Sequence, residues 1–189
     1  MDICLSTVML ILFCLPMLLI AAMVRLSSPG PALFKQQRVG RGGRRFTLLK
    51  FRSMKPADSG PQVTAEGDAR ITPIGKLLRR TKLDELPQLL NVLRGEMSLV
   101  GPRPEVERYV QHYTPEQKRL LEVRPGITGA AQIAYRDEEA LLSTAHNVEE
   151  LYVQEILPAK AALDLAYLAQ RTVLTDTAVL LKTIAALLR

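Results

Sequence analysis

Residues 3–24 read ICLSTVMLILFCLPMLLIAAMV, 22 positions without a charge, and the behaviour of this run decides the fold. As one α-helix it reaches about 33 Å, enough for a hydrocarbon core of about 30 Å. Three readings compete. A cleaved signal peptide is the weakest, because Met1-Asp2 ahead of the run carries no Lys or Arg. A straight transmembrane helix is the default. The third turns on Pro16, which has no N–H to donate, strands the Leu12 carbonyl and kinks a helix. A break at Leu15-Pro16 leaves arms of 13 and 8 residues. At about 20 and 12 Å, neither arm spans alone. A re-entrant helix that bends there and leaves by the face it entered fits these lengths. True spans also tolerate proline, so the residues alone leave both open.

Charge orients the chain more firmly. Arg25, Lys35, Arg38, Arg41, Arg44, Arg45, Lys50, Arg52 and Lys55 follow the apolar run with no acidic residue among them. From residue 57 onward there are 16 basic and 18 acidic residues, so the net charge of +6 lies beside the apolar segment. Anionic headgroups attract such a flank by about 1 kcal/mol per cation, and the positive-inside tendency puts it in the cytoplasm. At 189 residues, the chain has room for one domain with a modest core. Cys4 and Cys14, about 15 Å apart on a helix, cannot pair with each other. With only two histidines, a His-type metal cluster is not expected.

Beyond the apolar run, Ser27-Ser28-Pro29-Gly30-Pro31 is a stop and a turn. Residues 32–39 and 45–54 are strand-like, and Gly40-Arg41-Gly42-Gly43-Arg44 between them predicts a β-hairpin. The glycine spacing matches neither the P-loop nor the dinucleotide fingerprint. Residues 56–70 read as a polar surface loop and 74–80 as a short helix. A second helix is expected from about residue 84 to 93, stopped by Gly95. Thr114-Pro115-Glu116-Gln117 opens another helix, with Thr114 as its cap. Residues 124–129 read as a turn, and helices fill the remainder. The last of them, 176–189, is apolar enough to lie amphipathically on a membrane surface.

The most informative polar stretch is Arg79-Arg80-Thr81-Lys82-Leu83-Asp84-Glu85-Leu86-Pro87-Gln88. Pro87 is acceptable only in the first turn of a helix, which pins the helix start beside Asp84 and Glu85. Acidic residues there often do no more than satisfy the positive end of the dipole. The same features suit phosphate chemistry. A helix N-terminus with basic neighbours holds anions, two carboxylates share a Mg²⁺, and an Asp can act as a phosphoryl nucleophile. Nearby cations are expected to depress the Asp84 pKa. In Gly101-Pro102-Arg103-Pro104-Glu105, the prolines pre-aim a guanidinium whose fork matches phosphate. The alternation in Lys50-Phe51-Arg52-Ser53-Met54 would put both cations on one strand face. Each of these segments also has a plain reading as a solvated or connecting segment.

Taken in order, five segments resemble the bacterial sugar transferase family, the monotopic phosphoglycosyl transferases. They are Lys50-Phe51-Arg52-Ser53-Met54, Leu83-Asp84-Glu85-Leu86-Pro87-Gln88-Leu89 and Asn91-Val92-Leu93-Arg94-Gly95-Glu96-Met97-Ser98, followed by two more. Those two are Val100-Gly101-Pro102-Arg103-Pro104-Glu105 and Val123-Arg124-Pro125-Gly126-Ile127-Thr128-Gly129. The resemblance implies a mainly helical, membrane-associated α+β fold. Residues 1–26 would form a re-entrant helix broken at Leu15-Pro16, and residues 27–189 a catalytic domain on the cytoplasmic face of the bacterial inner membrane.

The implied reaction is ping-pong. Asp84 attacks the β-phosphorus of a UDP-sugar and releases UMP, and a polyprenyl phosphate, typically undecaprenyl phosphate, then takes the sugar phosphate. Glu85 would assist with Mg²⁺, bound by Asp84 and Glu85, or as an acid/base. Lys50, Arg79 and Arg103 match positions near the phosphates, with Arg52, Arg124 and Arg136 as further candidates. Asp164 and Asp176 match acidic positions in the C-terminal helices. The chain departs from many members at Ala130, where they carry Trp, and at Ala134-Tyr135-Arg136 in place of Asn-Gly-Arg. A homodimer is left open, and nucleic acid is not an expected partner. Two rivals are a non-catalytic module that binds anionic lipid and a direct glycosyltransferase that releases UDP.

Overall fold

The N-terminal run forms one helix, α1, spanning Asp2–Ser27 in the computed structural model, which describes residues 1–55, 64–65, 67–143 and 145–187. Pro16 stands inside this helix without ending it, so the expected break at Leu15-Pro16 does not interrupt the helical run. Proline forfeits one intrahelical hydrogen bond, a loss that neighbouring turns and packing can absorb. Along one stripe, Met17, Ile20, Ala21 and Val24 pack with Phe51, Leu78 and Leu83. Nearer the N-terminus, Leu5, Met9 and Leu10 pack against the cluster of Phe46, Leu89, Val92 and Met97. Ile3, Val8, Ile11, Leu12, Leu15, Leu18 and Leu19 remain exposed. By length and composition this helix is apolar enough to cross a membrane.

The expected hairpin is present. β1 (Leu33–Val39) and β2 (Arg45–Phe51) run antiparallel, with Leu33 opposite Phe51 and Val39 opposite Arg45. Gly42 and Gly43 turn the chain between them at φ 69° and 72°, a region open to glycine at little cost. Among the described residues, the far edge of β2 meets no third strand. Instead a side chain closes it: Asn91, on a helix of residues Gln88–Leu93, accepts from Leu49 N at 3.1 Å and donates to Thr47 O at 2.8 Å.

Most of the expected loop over residues 56–70 lies outside the described residues, and the chain rejoins the body where Met54 bridges Ile71. Helix α2 is Pro73–Arg80, close to the expected 74–80, and α3 is the Gln88–Leu93 helix. Residues 124–129, read as a turn, instead contain a strand. β4 (Gly126–Thr128) pairs in parallel with β3 (Ser98–Val100). The glycines serve close approach rather than chain reversal. A Cβ on Gly101 would stand 2.8 Å from the Arg124 carbonyl oxygen.

After α4 (Glu107–Val110), Thr114 caps as expected, accepting from Gln117 N at 3.2 Å, but the turn that follows is a 3₁₀ segment, Gln117–Glu122. The remaining helices are α5 (Ala130–Ala134), α6 (Glu138–Ser143), α7 (Val148–Leu151), α8 (Leu157–Ala169) and α9 (Val173–Leu187). A π-helical turn, Tyr152–Ile156, joins α7 to α8. Their core gathers Tyr109, Tyr113, Leu120, Leu142, Tyr152, Ile156 and Leu157. α9 leaves Val173, Leu174, Leu181 and Ile184 exposed. The fold is mainly helical α+β, with a long apolar N-terminal helix and two small sheets among the described residues.

Candidate active site

Close packing of α2 on the end of β2 starts the site. The Thr72 hydroxyl caps α2 by accepting from Gly75 N at 3.0 Å, and Pro73 suits the first turn because it has no N–H to satisfy. Any Cβ on Gly75 would sit inside the contact radius of the Ser53 carbonyl, so only glycine lets the helix lie this close. Past the end of α2, Lys82 adopts φ 55°, a left-handed conformation that reverses the chain at a local cost. The dyad follows in a 3₁₀ turn, Leu83–Glu85, rather than in the helix expected from residue 84. Pro87 stands at the N-cap of α3, whose ladder begins with Leu90 N donating to Pro87 O at 3.1 Å. Asp84 and Glu85 are therefore turned inward, at 4% and 8% exposure.

The two carboxylates are treated differently. Lys50 Nζ donates to Glu85 Oε1 at 3.0 Å, and Arg103 Nη2 donates to the same oxygen at 3.1 Å. Asp84 Oδ1 is enclosed and has no hydrogen-bond partner among the described residues. Burial pushes the Asp84 carboxyl up, and the Glu85 charge adds to that push against Lys50, Arg79 and Lys82. This corrects the expected depression: the buried cations pair with Glu85, not with Asp84. Burial also opposes the Glu85 charge, but Arg103 and Lys50 outweigh it and hold that carboxyl well below the usual range. Lys50 is itself brought down to about 8 by burial and by the charge of Arg103.

Lys50, Arg79, Arg103 and Arg136 line a cavity of about 1540 Å³ together with the dyad. Part of its wall is apolar, formed by Leu5 and Met9 of α1, Leu86, Leu89, Ile133, and Leu180, Leu181 and Ile184 of α9, and part is charged, with Arg38, Glu105, Glu138 and Lys160. Arg79 is engaged by Glu139 of α6. Arg52, just past the end of β2, also lines the cavity. Its Nη groups, however, donate to the carbonyls of Val24, Ser28 and Pro29, closing the C-terminus of α1. Arg124 is exposed beside Gly95, away from this cavity.

Asp164 and Asp176 are buried in the scaffold rather than in the cavity wall. Asp164 Oδ1 accepts from Ala131 N at 3.1 Å, while Asp176 accepts from Tyr167 and Arg171. A buried network was not read from the sequence. Glu105 accepts from Tyr152 Oη at 2.7 Å and pairs with Arg38 at 3.5 Å, and Lys160 reaches Glu138 at 2.8 Å. Lys160 stands within an apolar stretch of α8, a signal that would have flagged it; the other members are scattered in the chain.

No cluster of three or more His, Cys, Asp or Glu able to hold a metal occurs among the described residues. The dyad still suits a hard cation of the kind that takes one or two carboxylates and completes its shell with phosphate oxygens and water. Asp84 Oδ1 is the unpartnered oxygen such an ion requires.

A buried, unequal carboxylate pair backed by cations, in a chamber beside a long apolar helix, defines a site suited to anionic groups. Residues 1–189 match the family described as bacterial sugar transferase, and the chain belongs to that family. It is 41% identical over 179 residues to a UDP-glucose:undecaprenyl-phosphate glucose-1-phosphate transferase of Caulobacter vibrioides, covering 92% of this chain and 63% of that protein. A protein of the same description from Escherichia coli is 46% identical over 141 residues, covering 70% of this chain and 30% of the relative. The exopolysaccharide production protein ExoY of Rhizobium meliloti is 34% identical over 204 residues, covering 98% of this chain and 82% of its own length. The chain thus spans less than two thirds of the first relative and about a third of the second.

Proposed function

We propose that this chain is a phosphoglycosyl transferase that moves a sugar 1-phosphate from a UDP-sugar to undecaprenyl or a related polyprenyl phosphate. The observation that carries this reading is the unequal dyad in a chamber whose wall combines cations with apolar side chains of α1 and α9. A soluble, multiply charged donor and a lipid-linked acceptor can both reach such a carboxylate. The Caulobacter and E. coli relatives, UDP-glucose:undecaprenyl-phosphate glucose-1-phosphate transferases, support substrates of this class.

An Asp84 oxygen attacks the β-phosphorus of the donor. The bond from that phosphorus to the bridging oxygen breaks, and UMP leaves with the oxygen. An oxygen of the polyprenyl phosphate then attacks the same phosphorus, the phosphorus–Asp84 bond breaks, and the carboxylate is restored. Splitting one displacement into two lowers the barrier of each. Asp84 and Glu85 would hold Mg²⁺, which supplies charge neutralisation at the donor phosphates. Lys50 and Arg103 fix Glu85 until the donor arrives and then present cations to its phosphates.

The domain sits on the cytoplasmic face of the bacterial inner membrane, with residues 1–26 re-entrant and 27–189 catalytic. A straight span would carry Leu5 about 28 Å along the helix from Val24 and away from a cytosolic body. Contacts of both Leu5 and Val24 with the body support the monotopic alternative. The test is UMP release from a panel of UDP-sugars in the presence of a polyprenyl phosphate, with mass spectrometry for a phosphosugar adduct on Asp84. Asp84→Asn should abolish both signals. UDP in place of UMP, or normal turnover by Asp84→Asn, would overturn the proposal.

A further inference from the structure

One side chain in the cavity wall has no task in the chemistry above. Gln132, in the short helix α5, lines the same cavity as the dyad. Its Oε1 and Nε2 are both closed off from solvent, yet neither has a hydrogen-bond partner among the described residues. An enclosed amide with both ends unpaired is destabilising unless something completes it.

The fold aims this amide with care. Asp164, on α8, accepts from Ala131 N at 3.1 Å and so fixes the start of α5 one residue before Gln132. Gln132 Oε1 lies 2.6 Å from where a Cβ on Gly129 would stand, so the amide is pressed against the glycine that follows β4. That glycine in turn packs on the Gly101 carbonyl, two residues before Arg103, whose guanidinium holds Glu85. The amide therefore flanks the backbone that presents the donor-side cation. Ile127, Thr128 and Ile133, which line the cavity near it in the chain, carry no charge, and Arg136 lines the cavity four residues further on.

The chemistry narrows the ligand. A phosphate oxygen only accepts, so it would serve Nε2 and leave Oε1 unpaired. Both ends are completed by a neutral group that donates and accepts side by side. On a nucleotide sugar, such a group is the imide edge of uracil or a sugar hydroxyl. We infer that Gln132 binds the donor by this neutral hydrogen-bonding edge, while Lys50, Arg79 and Arg103 serve its phosphates. The inference rests on the proposed phosphoglycosyl transfer.

The test uses the full chain in detergent micelles, with Gln132→Met, which keeps length without hydrogen bonding, and Gln132→Glu, which accepts but does not donate. Both should raise the KM for the UDP-sugar at least tenfold, and Gln132→Met should melt no lower than wild type. If the inhibition constant of UMP rises in step, the ligand lies on the uridine, as its imide edge or a ribose hydroxyl. An unchanged UMP constant with the raised KM assigns a hydroxyl of the transferred sugar. The inference is overturned if KM and UMP inhibition both stay within twofold of wild type. It is equally overturned if Gln132→Met melts lower and loses only kcat, as an internal structural amide would. A wild-type chain that releases no UMP would defeat the transfer reading instead. Calorimetric binding of UMP and UDP-sugars then judges Gln132 by the same tenfold criterion.

Discussion

Asn91 is the residue whose loss should be felt most clearly outside the dyad. It is fully buried and closes the free edge of β2, accepting from Leu49 N and donating to Thr47 O and to Glu96 Oε2 at 2.6 Å. Asn91→Ala strands a buried N–H and a half-buried carbonyl, each costing about 1–3 kcal/mol. Removal of the amide also leaves a small void, so a total of about 3–5 kcal/mol is expected. For a chain of this size that corresponds to a fall in melting temperature on the order of 10 °C.

The effect should reach the site, because Lys50 follows Leu49 directly and its ammonium is placed on Glu85 by the strand. UMP release well below the melting temperature should therefore drop about tenfold, the equivalent of 1.4 kcal/mol. Asn91→Asp should be worse than Ala at neutral pH, since it sets a second carboxylate against Glu96 and loses the donor to Thr47 O. Thermal and denaturant melts in detergent, paired with a UMP-release assay, read both effects. A stability change under 1 kcal/mol for Asn91→Ala would refute the idea that this amide stands in for a third strand.

Two further outcomes follow from buried positions. Burial raises the Asp164 carboxyl from 3.8 to about 6, so the folded form holds an extra proton between those values and stability falls as pH rises through that window. Asp164→Asn, keeping the acceptor for Ala131 N, should be more stable than wild type by up to about 3 kcal/mol at pH 7.5. The gap should close below about pH 4, and melts across pH that show a constant difference would contradict this. Gly75→Ala drives a methyl into the Ser53 carbonyl and must part α2 from the end of β2. A cost of about 3 kcal/mol or more is expected, together with loss of UMP release.

What the sequence disclosed was mostly local. Composition and charge marked α1, glycines between β-prone runs marked the hairpin, and Thr114 was legible as a cap. The parallel pairing of Ser98–Val100 with Gly126–Thr128 escaped because each partner is three residues long and they lie far apart in the chain. A glycine needed for close approach also looks, in sequence, like one needed for a turn. Counting cations near Asp84 in the chain pointed to Arg79, Arg80 and Lys82, whereas the fold brings Lys50 and Arg103 to Glu85. Strand alternation placed Arg52 on the face of Lys50, but no local pattern announces that its partners are carbonyls at the end of α1.

The distribution of those cations explains why two adjacent carboxylates need not compete for one role. A carboxylate oxygen that already accepts two charge-assisted hydrogen bonds has its lone pairs committed, and exposing them to an electrophile means breaking strong contacts. Glu85 is in that position. Asp84 is in the opposite position: its Oδ1 is buried with no partner among the described residues, and burial disfavours its anion more than Lys50, Arg79 and Lys82 favour it. A donor diphosphate carrying a divalent ion would supply that charge and the target phosphorus together. The anionic nucleophile would then be best stabilised when there is something to attack. Water entering the open chamber meets a carboxyl that burial disfavours as an anion, so reactivity is tied to the presence of donor. The same allocation gives Lys50, held at about 8 by burial and Arg103, a ready response. The incoming phosphates would draw this ammonium towards themselves and weaken its hold on Glu85 at the moment the second carboxylate is needed.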